Sequence, residues 1–475
     1  MNIIKKLLCL AVVCMPMMMQ AQGIKFEEGL TWNQVLQKAK AENKYIFVDC
    51  YATWCAPCKI MDKSVYPNDT VGSFFNEKFV SVKVQMDTTK SDNDFTRQWY
   101  ADASMMDSKY NITAFPSFLF FSPNGDIVHR DVGAKRPEDL ITVGTDALNP
   151  NEQYYVMLEK YNRNQLDPAH MKALVYKVQY VEGDELAAKI ANAYVNRLPT
   201  DSLFTQDNIH LIYDFTKTSK EKGFAIFRDS AKRISETDKQ WTEGNCKGFV
   251  LNIIYNEEIK PYQFTKKGKP DWKKIKTNLE KYGSLGDEAF TKFKPSIIFK
   301  TEIEPELKIN SDWNYILPLI QKQNLGKNAE FVVGSTIVYY LNGVAINHTE
   351  KNCKNLVSAA TYYADSFSTF LSANALNTWA WILFENSNDK EELLKASEWS
   401  KLSLELEPGG PKPEELDTYA NVLYKRGLMN DAIAWEQKAV DAAEARAKRN
   451  NIVAEQVYRE TLEKMNKGKK TWPEK

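Results

Sequence analysis

Histidine is nearly absent from this 475-residue chain: His129, His170, His210 and His348 are four residues, far apart from one another. Cysteine is scarcely commoner. Of seven, Cys50, Cys55 and Cys58 crowd together, while Cys9, Cys14, Cys246 and Cys353 do not join them. A structural zinc site asks for four ligands, usually as two close Cys/His pairs, and no second close pair exists, so no metal is expected. Net charge is also missing, with 62 basic residues against 62 acidic ones. Without a basic surplus, a general nucleic-acid or anionic-membrane partner is disfavoured. Beyond the N-terminal leader, no uninterrupted apolar run reaches the ~18 residues of a membrane-spanning helix. What is plentiful is apolar residues, 43% of the chain. That is enough for packed cores and too much for a disordered polymer. The length suits about three domain-sized units.

The chain opens "MNIIKKLLCLAVVCMPMMMQAQG". Lys5 and Lys6 give a positive start, Leu7 to Met19 is apolar but too short to span a bilayer, and Ala21 is a small residue before a cleavage point. This is the pattern of a secretory signal peptide over residues 1–21. A lipoprotein anchor at Cys14 is the weaker alternative. Val13 precedes that cysteine and Ala11 lies three back, whereas a lipobox wants a small residue and a large aliphatic there. The expectation is an exported, soluble protein, most simply of the bacterial periplasm. The mature chain keeps five cysteines and 60 basic against 62 acidic residues, a net charge of −2.

In an oxidising compartment, the Cys-x-x-Cys of "VDCYATWCAPCK" (Val48 to Lys59) reads as a redox pair if a βαβ pattern surrounds it. One does. "KYIFVDCY" is a short apolar run of a buried strand. A helix is predicted to begin at Cys55, with Pro57 in its first turn, where a missing N–H costs nothing. Upstream, "TWNQVLQKAKAENK" places Trp32, Val35, Leu36 and Ala39 on one helical face behind Thr31 as N-cap. Downstream, "KFVSVKVQMD" alternates as a strand, and "SFLFFSPNGDIVHRDVGA" reads as two strands joined by a Pro-Asn-Gly turn.

That order and these residues resemble the thioredoxin family. Trp54 matches the tryptophan flanking the active site, Asp49 the buried acid beneath the cysteines, and Lys83 the lysine beside that acid. "YNITAFPSFLFF" matches the segment carrying the cis-proline, at Pro116, and "VGA" (Val132 to Ala134) the glycine before the last helix. Ala56 stands where the prototype has glycine, and Asp87 to Tyr110 is longer, suggesting an added helix turn or two over one face. The resemblance implies a thioredoxin fold over 22–148. It implies Cys55 as the attacking thiolate, with its pKa lowered from ~8.5 toward ~7 by the helix N-terminus. Cys58 becomes the more buried resolving thiol, and Asp49 a proton relay to it. Burial raises a carboxyl pKa and a nearby lysine lowers it; burial is expected to win at Asp49. Trp54, Phe115 and Pro116 become the substrate-docking surface and Lys83 a support.

Blander readings accompany these. Trp54 equally suits plain packing. Cys50 suits a small core residue. Whether Cys246 and Cys353 pair is open, since sequence gives no distance. His129 suits a structural place in its strand.

Residues 149–370 read as α-helical and carry no legible chemistry. "GDELAAKIANAYVNRLP" puts Leu186, Ile190 and Tyr194 on one stripe; "DWKKIKTNLEKYG" repeats this with Trp272, Ile275, Leu279 and Tyr282. The lysines between Ile259 and Lys276 read as a solvated face. In 371–475, "LNTWAW" (376–381) and "LDTYAN" (416–421) recur at a 40-residue offset, the second followed by Gly427, Ala432 and Ala439, the first by Ala396 and Pro408. This resembles tetratricopeptide repeats, with extra residues expected around Asp389–Leu394. The fold class is therefore an α/β thioredoxin fold followed by a large all-α, helical-repeat-like region. The functional expectation is an exported thiol–disulfide oxidoreductase, reductase or isomerase, with no cofactor. Its partners would be protein disulfides, a membrane or soluble dithiol electron donor, and a protein on the helical repeats. The alternative is a peptide- or partner-binding scaffold in which the thioredoxin fold only docks.

Overall fold

The computed structural model describes residues 23–266, 268–346 and 349–473. The leader, with Lys5, Lys6, Cys9, Cys14 and Ala21, and His348 lie outside the described residues. The chain divides at Val250–Leu251 into two units.

In the first unit, helix α1 (Trp32–Glu42) starts where its sequence says it must. The Thr31 side chain accepts the Gln34 N–H, and the Gln34 side chain returns a bond to the Thr31 N–H. Strand β1 (Tyr45–Tyr51) follows, then α2 (Ala56–Ile60), continued by a π turn over Met61–Val65. Helix α3 (Asp69–Lys78), strand β2 (Phe79–Gln85), helices α4 (Asp94–Gln98) and α5 (Tyr100–Tyr110), strands β3 (Ser117–Phe121) and β4 (Ile127–Val132), and helix α6 (Pro137–Leu148) complete the α/β part. The sheet order is β2-β1-β3-β4. β1 pairs parallel with β2 and antiparallel with β3, and β3 pairs antiparallel with β4. Each sheet face carries its own apolar layer. Val35, Ala39, Trp99 and Met106 cover one face; Met61, Phe75, Leu140 and Val143 cover the other.

One expectation about the sheet needs correction. β2 does not alternate between core and solvent: all but Lys83 of its residues are buried. The reason lies at both ends of its polar residues. Ser81 is covered by the N-terminal segment, where Phe26 bridges to it and the Glu27 N–H bonds its carbonyl at 2.8 Å. Gln85 is satisfied by the Asp87 carbonyl and Asp92 Oδ2, both at 3.0 Å. The longer stretch after β2 does add a short helix, α4, capped by Asn93. It also supplies Trp99, whose Nε1–H donates to the Leu30 carbonyl at 3.1 Å and whose ring lies 6.3 Å from Trp32.

Helices α7 (Tyr154–Asn162), α8 (Pro168–Glu182) and α9 (Asp184–Arg197) continue in the same unit, and α7 and α8 pack on β4. The Tyr154 N–H donates to His129 Nδ1 at 3.0 Å, so His129 is a fastening residue. Burial pushes its imidazole down to about 3, which keeps that acceptor lone pair available. Arg130, buried beside it, donates to the Tyr110 and Asn111 carbonyls at 2.6 and 3.0 Å and faces Glu182 of α8 at 3.4 Å. Removing a buried charge-assisted anchor strands its acceptors. Arg130→Ala is therefore expected to destabilise the unit that holds it by about 3 kcal/mol in urea titration. In α9 the buried stripe is Ala187, Ile190, Ala191, Tyr194 and Val195, with Leu186 only half-buried.

The second unit is helical among its described residues. Ile275 and Leu279 are buried on helix Trp272–Leu279, while Lys269, Lys273, Lys274 and Lys276 are solvated. Helix Ala329–Ile346 has the length and composition of a membrane span within Gly326–Ile346, although polar residues interrupt its apolar run. Val332, Val333, Ile337, Tyr340 and Val344 bury one side of it in the core of this unit. The two C-terminal hairpins are Ala373–Asn386 with Lys390–Leu406, and Pro413–Lys425 with Met429–Asn450. Matching positions play matching parts: Leu376, Ala380, Leu416 and Ala420 are buried, and Thr378 and Thr418 both bond the carbonyl four residues back. Asp389–Leu394 is not an insertion. Asp389 caps the second helix of its hairpin; the second helices start at Lys390 and Met429, 39 residues apart, against 40 for the first helices at Ala373 and Pro413, so several extra residues do not sit there.

Candidate active site

β1 runs through the buried layer and delivers the chain to the loop Ala52–Cys55 at its C-terminal end. Cys55 is the N-cap of α2, with extended backbone and Pro57 in the first turn. It is disulfide-bonded to Cys58, with Cα atoms 5.4 Å apart. The Cys58 N–H donates to Cys55 Sγ at 3.0 Å. A helix-start N–H directed at one sulfur and not the other favours negative charge there. This geometry makes Cys55 the sulfur better suited to be a thiolate.

Exposure does not distinguish the two. Cys58 was expected to be the more buried, yet Cys55 and Cys58 are 2% and 3% exposed. Tyr51, Ala52 and Phe115 pack around both of them alike. Phe115 is joined to Pro116 by a cis peptide bond. Pro116 is buried and Phe115 half-buried, while Trp54 is 70% exposed, its ring 5.7 Å from that of Phe115. Trp54 thus stands out from the surface as well as touching its neighbour.

Asp49 and Lys83 are register partners across β1 and β2. Asp49 is almost wholly enclosed, and its Oδ1 has no hydrogen-bond partner among the described residues. Lys83 Nζ lies 3.9 Å from Asp49 Oδ2. Burial raises the Asp49 carboxyl to about 7; Lys83 and the nearby Tyr66 hydroxyl pull it back only part of the way. Lys83 has a second partner that sequence reading passed over, Asp62. Asp62 sits one turn beyond Cys58, a spacing that places it on the same helical face. The lysine ammonium also lies 4.7 Å from the Tyr51 ring centre and 5.5 Å from that of Tyr66.

Cys50 is a buried thiol pushed well up by burial, and Cys246 and Cys353 are buried thiols as well; the disulfide of the described residues is Cys55–Cys58. All seven sequence-chosen residues therefore gather at one end of the sheet. Cys55, Cys58, Trp54, Phe115 and Pro116 lie at the surface loop, and Asp49 and Lys83 on the strands behind it.

A redox-active cysteine pair at a helix start, beside a cis-proline, on this sheet defines a thiol–disulfide oxidoreductase of thioredoxin fold. The thioredoxin-like domain family matches residues 32–148. Thioredoxin H-type of Fagopyrum esculentum is 29% identical over 128 residues, covering 27% of this chain and 94% of that protein. Thioredoxin H1 of Arabidopsis thaliana is 32% identical over 108 residues, 23% of this chain and 78% of that one. Thiol:disulfide interchange protein DsbD of Pseudomonas fluorescens is 31% identical over 91 residues, but these are only 14% of its length. A solution structure from Bacteroides thetaiotaomicron is 33% identical, covering 27% of this chain and 97% of that one, with a TM-score of 0.23. The chain belongs to the thioredoxin-like family through its N-terminal quarter.

Proposed function

We propose that the protein is an exported reductase or isomerase of protein disulfides, fed by a dithiol donor, with its C-terminal hairpins recruiting a partner. The observation that carries the redox part is the Cys55–Cys58 disulfide capped at Cys55 by the Cys58 N–H. The leader supports export, and the net charge of −2 fits a polypeptide rather than a nucleic-acid partner. In the proposed cycle the Cys55 thiolate attacks one sulfur of a substrate disulfide and expels the other as a thiolate. Cys58 then attacks Cys55 Sγ, releases the second substrate thiolate, and leaves the protein in the oxidised form seen here. The external dithiol returns two electrons and restores both thiols. Asp49 takes the Cys58 proton in the resolving step.

Only Ala56 and Pro57 separate the cysteines, so no histidine or charge between them adds to thiolate stability. The reduction potential is expected near −270 mV, well below the ~−120 mV of the most oxidising dithiol proteins, a gap of roughly 7 kcal/mol. Equilibration with glutathione buffers measures it; a value above about −180 mV overturns the reductant assignment. The scaffold reading, favoured by the paired C-terminal hairpins, is separated by turnover. A docking module reduces insulin disulfides no faster than its Cys55→Ser, Cys58→Ser double variant.

A further inference from the structure

Beyond the thioredoxin-like part, the chain places an aromatic residue beside the disulfide-docking surface. The Gly133 N–H donates to the Pro116 carbonyl at 2.7 Å, so the loop after β4 lies against the cis-proline segment. The Lys135 N–H reaches Met61 Sδ at 3.2 Å, so the same loop also lies against the helix that carries the cysteines. On the outer side of this loop stands Tyr180 of α8. A Cβ built on Gly133 would fall 2.5 Å from the Tyr180 hydroxyl oxygen. The Lys135 ammonium lies 4.7 Å from the Tyr180 ring centre.

Tyr180 is held there by its helix and is not needed by that helix. α8 buries Met171, Leu174, Val175, Val178 and Val181, and it is pinned to β4 through Glu182 and Arg130. Tyr176 and Tyr180 occupy the opposite face, one turn apart, 44% and 58% exposed; Tyr176 rests edge-on against Phe215, ring centres 6.3 Å apart, while Tyr180 stands over the Gly133 loop. Large aromatics left outside, continuous with a functional surface, mark recognition rather than packing. The rings of Trp54 and Phe115 lie 5.7 Å apart, Phe115 precedes the Pro116 whose carbonyl holds Gly133, and Tyr180 lies over Gly133. β3 begins at Ser117 and the Pro116 carbonyl is already taken by the Gly133 N–H, so the chain ahead of the sheet pairing ends at Phe115.

We propose that Tyr180, backed by Tyr176, is a substrate-contact residue that receives an apolar side chain of the polypeptide flanking the target disulfide. The occupant is an extended segment of unfolded or loop chain. It lies along this surface with its cysteine at Cys55 and its apolar neighbour on the Tyr180 ring. Specificity is thereby drawn partly from a helix that a lone thioredoxin-like domain ending at residue 148 does not contain. This rests on the reading that protein disulfides are the substrates.

The full chain and its Tyr180→Ala and Tyr180→Phe variants would be compared on oxidised glutathione and on two synthetic disulfide-linked peptides, one flanked by Phe and one by Gly. Tyr180→Ala is expected to raise KM for the Phe-flanked peptide about tenfold, leaving kcat, the Gly-flanked peptide and glutathione within about twofold. Tyr180→Phe, which keeps the ring, is expected to stay near the parent. Unchanged KM for both peptides in Tyr180→Ala overturns the proposal and leaves the protein-disulfide reading standing. A parent chain that reduces glutathione but neither peptide overturns that reading and this proposal with it. A uniform loss on all three substrates, matched by a lower melting temperature, assigns Tyr180 to packing and overturns the contact role alone.

Discussion

Cys58→Ser is expected to stop turnover while a mixed disulfide accumulates one-to-one on Cys55; Cys55→Ser is expected to stop turnover with no such adduct. The asymmetry follows from the helix start. Cys55 is the N-cap, and the Cys58 backbone N–H points at its sulfur from 3.0 Å. A donor already aimed at the place where charge develops costs no reorganisation in the reaction. Cys58 lies inside the first turn, where its role is intramolecular attack on Cys55. Its effective concentration there far exceeds that of any external thiol. Both variants should therefore lose turnover by on the order of 10³ or more, while only one retains the first half-reaction. Non-reducing mass spectrometry of the trapped adduct, with peptide mapping, reads the attachment site. An adduct on Cys58 in the Cys55→Ser chain, formed at the parent's rate, would reverse the two roles. Near-equal burial of the two residues in the oxidised form makes this experiment worth doing, because exposure alone does not choose between them.

Much of this site was legible because its signals are local. The capping box at Thr31 and Gln34, the aromatic and β-branched run of β1, the Cys-x-x-Cys with proline in the first helical turn, and the Pro-Asn-Gly turn after β3 each declare themselves within a few residues. Asp49 was readable as buried because a lone acid sat in an apolar strand. What escaped was long-range. Lys83 finds Asp62 across a gap of 21 residues, Arg130 finds Glu182 across 52, and no spacing rule links such partners. Tyr180 carries no signal of its own in the sequence, since nothing in α8 states which strand it will cover. Burial of Ser81 and Gln85 depended on the N-terminal segment and on Asp92, both outside β2. In α9 the apolar pattern pointed to Leu186, but the tighter packing of Ala187 and Ala191 took the buried face. At the C-terminus the 40-residue offset of the two motifs matches the starts of their helices, Ala373 and Pro413, while the helices that follow start at Lys390 and Met429, 39 apart.

Asp49→Asn is expected to stabilise the oxidised protein at pH 8, by up to about 4 kcal/mol, and to leave it nearly unchanged near pH 3. The sign follows from where the carboxyl titrates. Unfolded, Asp49 releases its proton near the ordinary value of 3.8; folded, it holds the proton to about 7. Across that interval the native state binds more protons than the unfolded chain, so stability falls as pH rises. Above about 7 the full penalty of an enclosed carboxylate is present, and below the unfolded value it is absent. Asparagine never ionises and escapes the loss. Lys83 does not reverse the balance, because its 3.9 Å approach is loose and it is shared with Asp62. Urea titrations of both chains at the two pH values measure the difference. If the proposed relay is right, the same substitution should slow resolution of the mixed disulfide by about 10²-fold near neutral pH while leaving the Cys55 attack within a few-fold, read by stopped-flow with a fluorescent peptide disulfide. A less stable Asp49→Asn protein at pH 8, resolving at the parent's rate, would make Asp49 an ion-pair partner of Lys83 and sink the relay. A more stable protein with unchanged resolution would leave the buried carboxyl as a cost without a catalytic return, and the proton from Cys58 would have to leave directly to solvent.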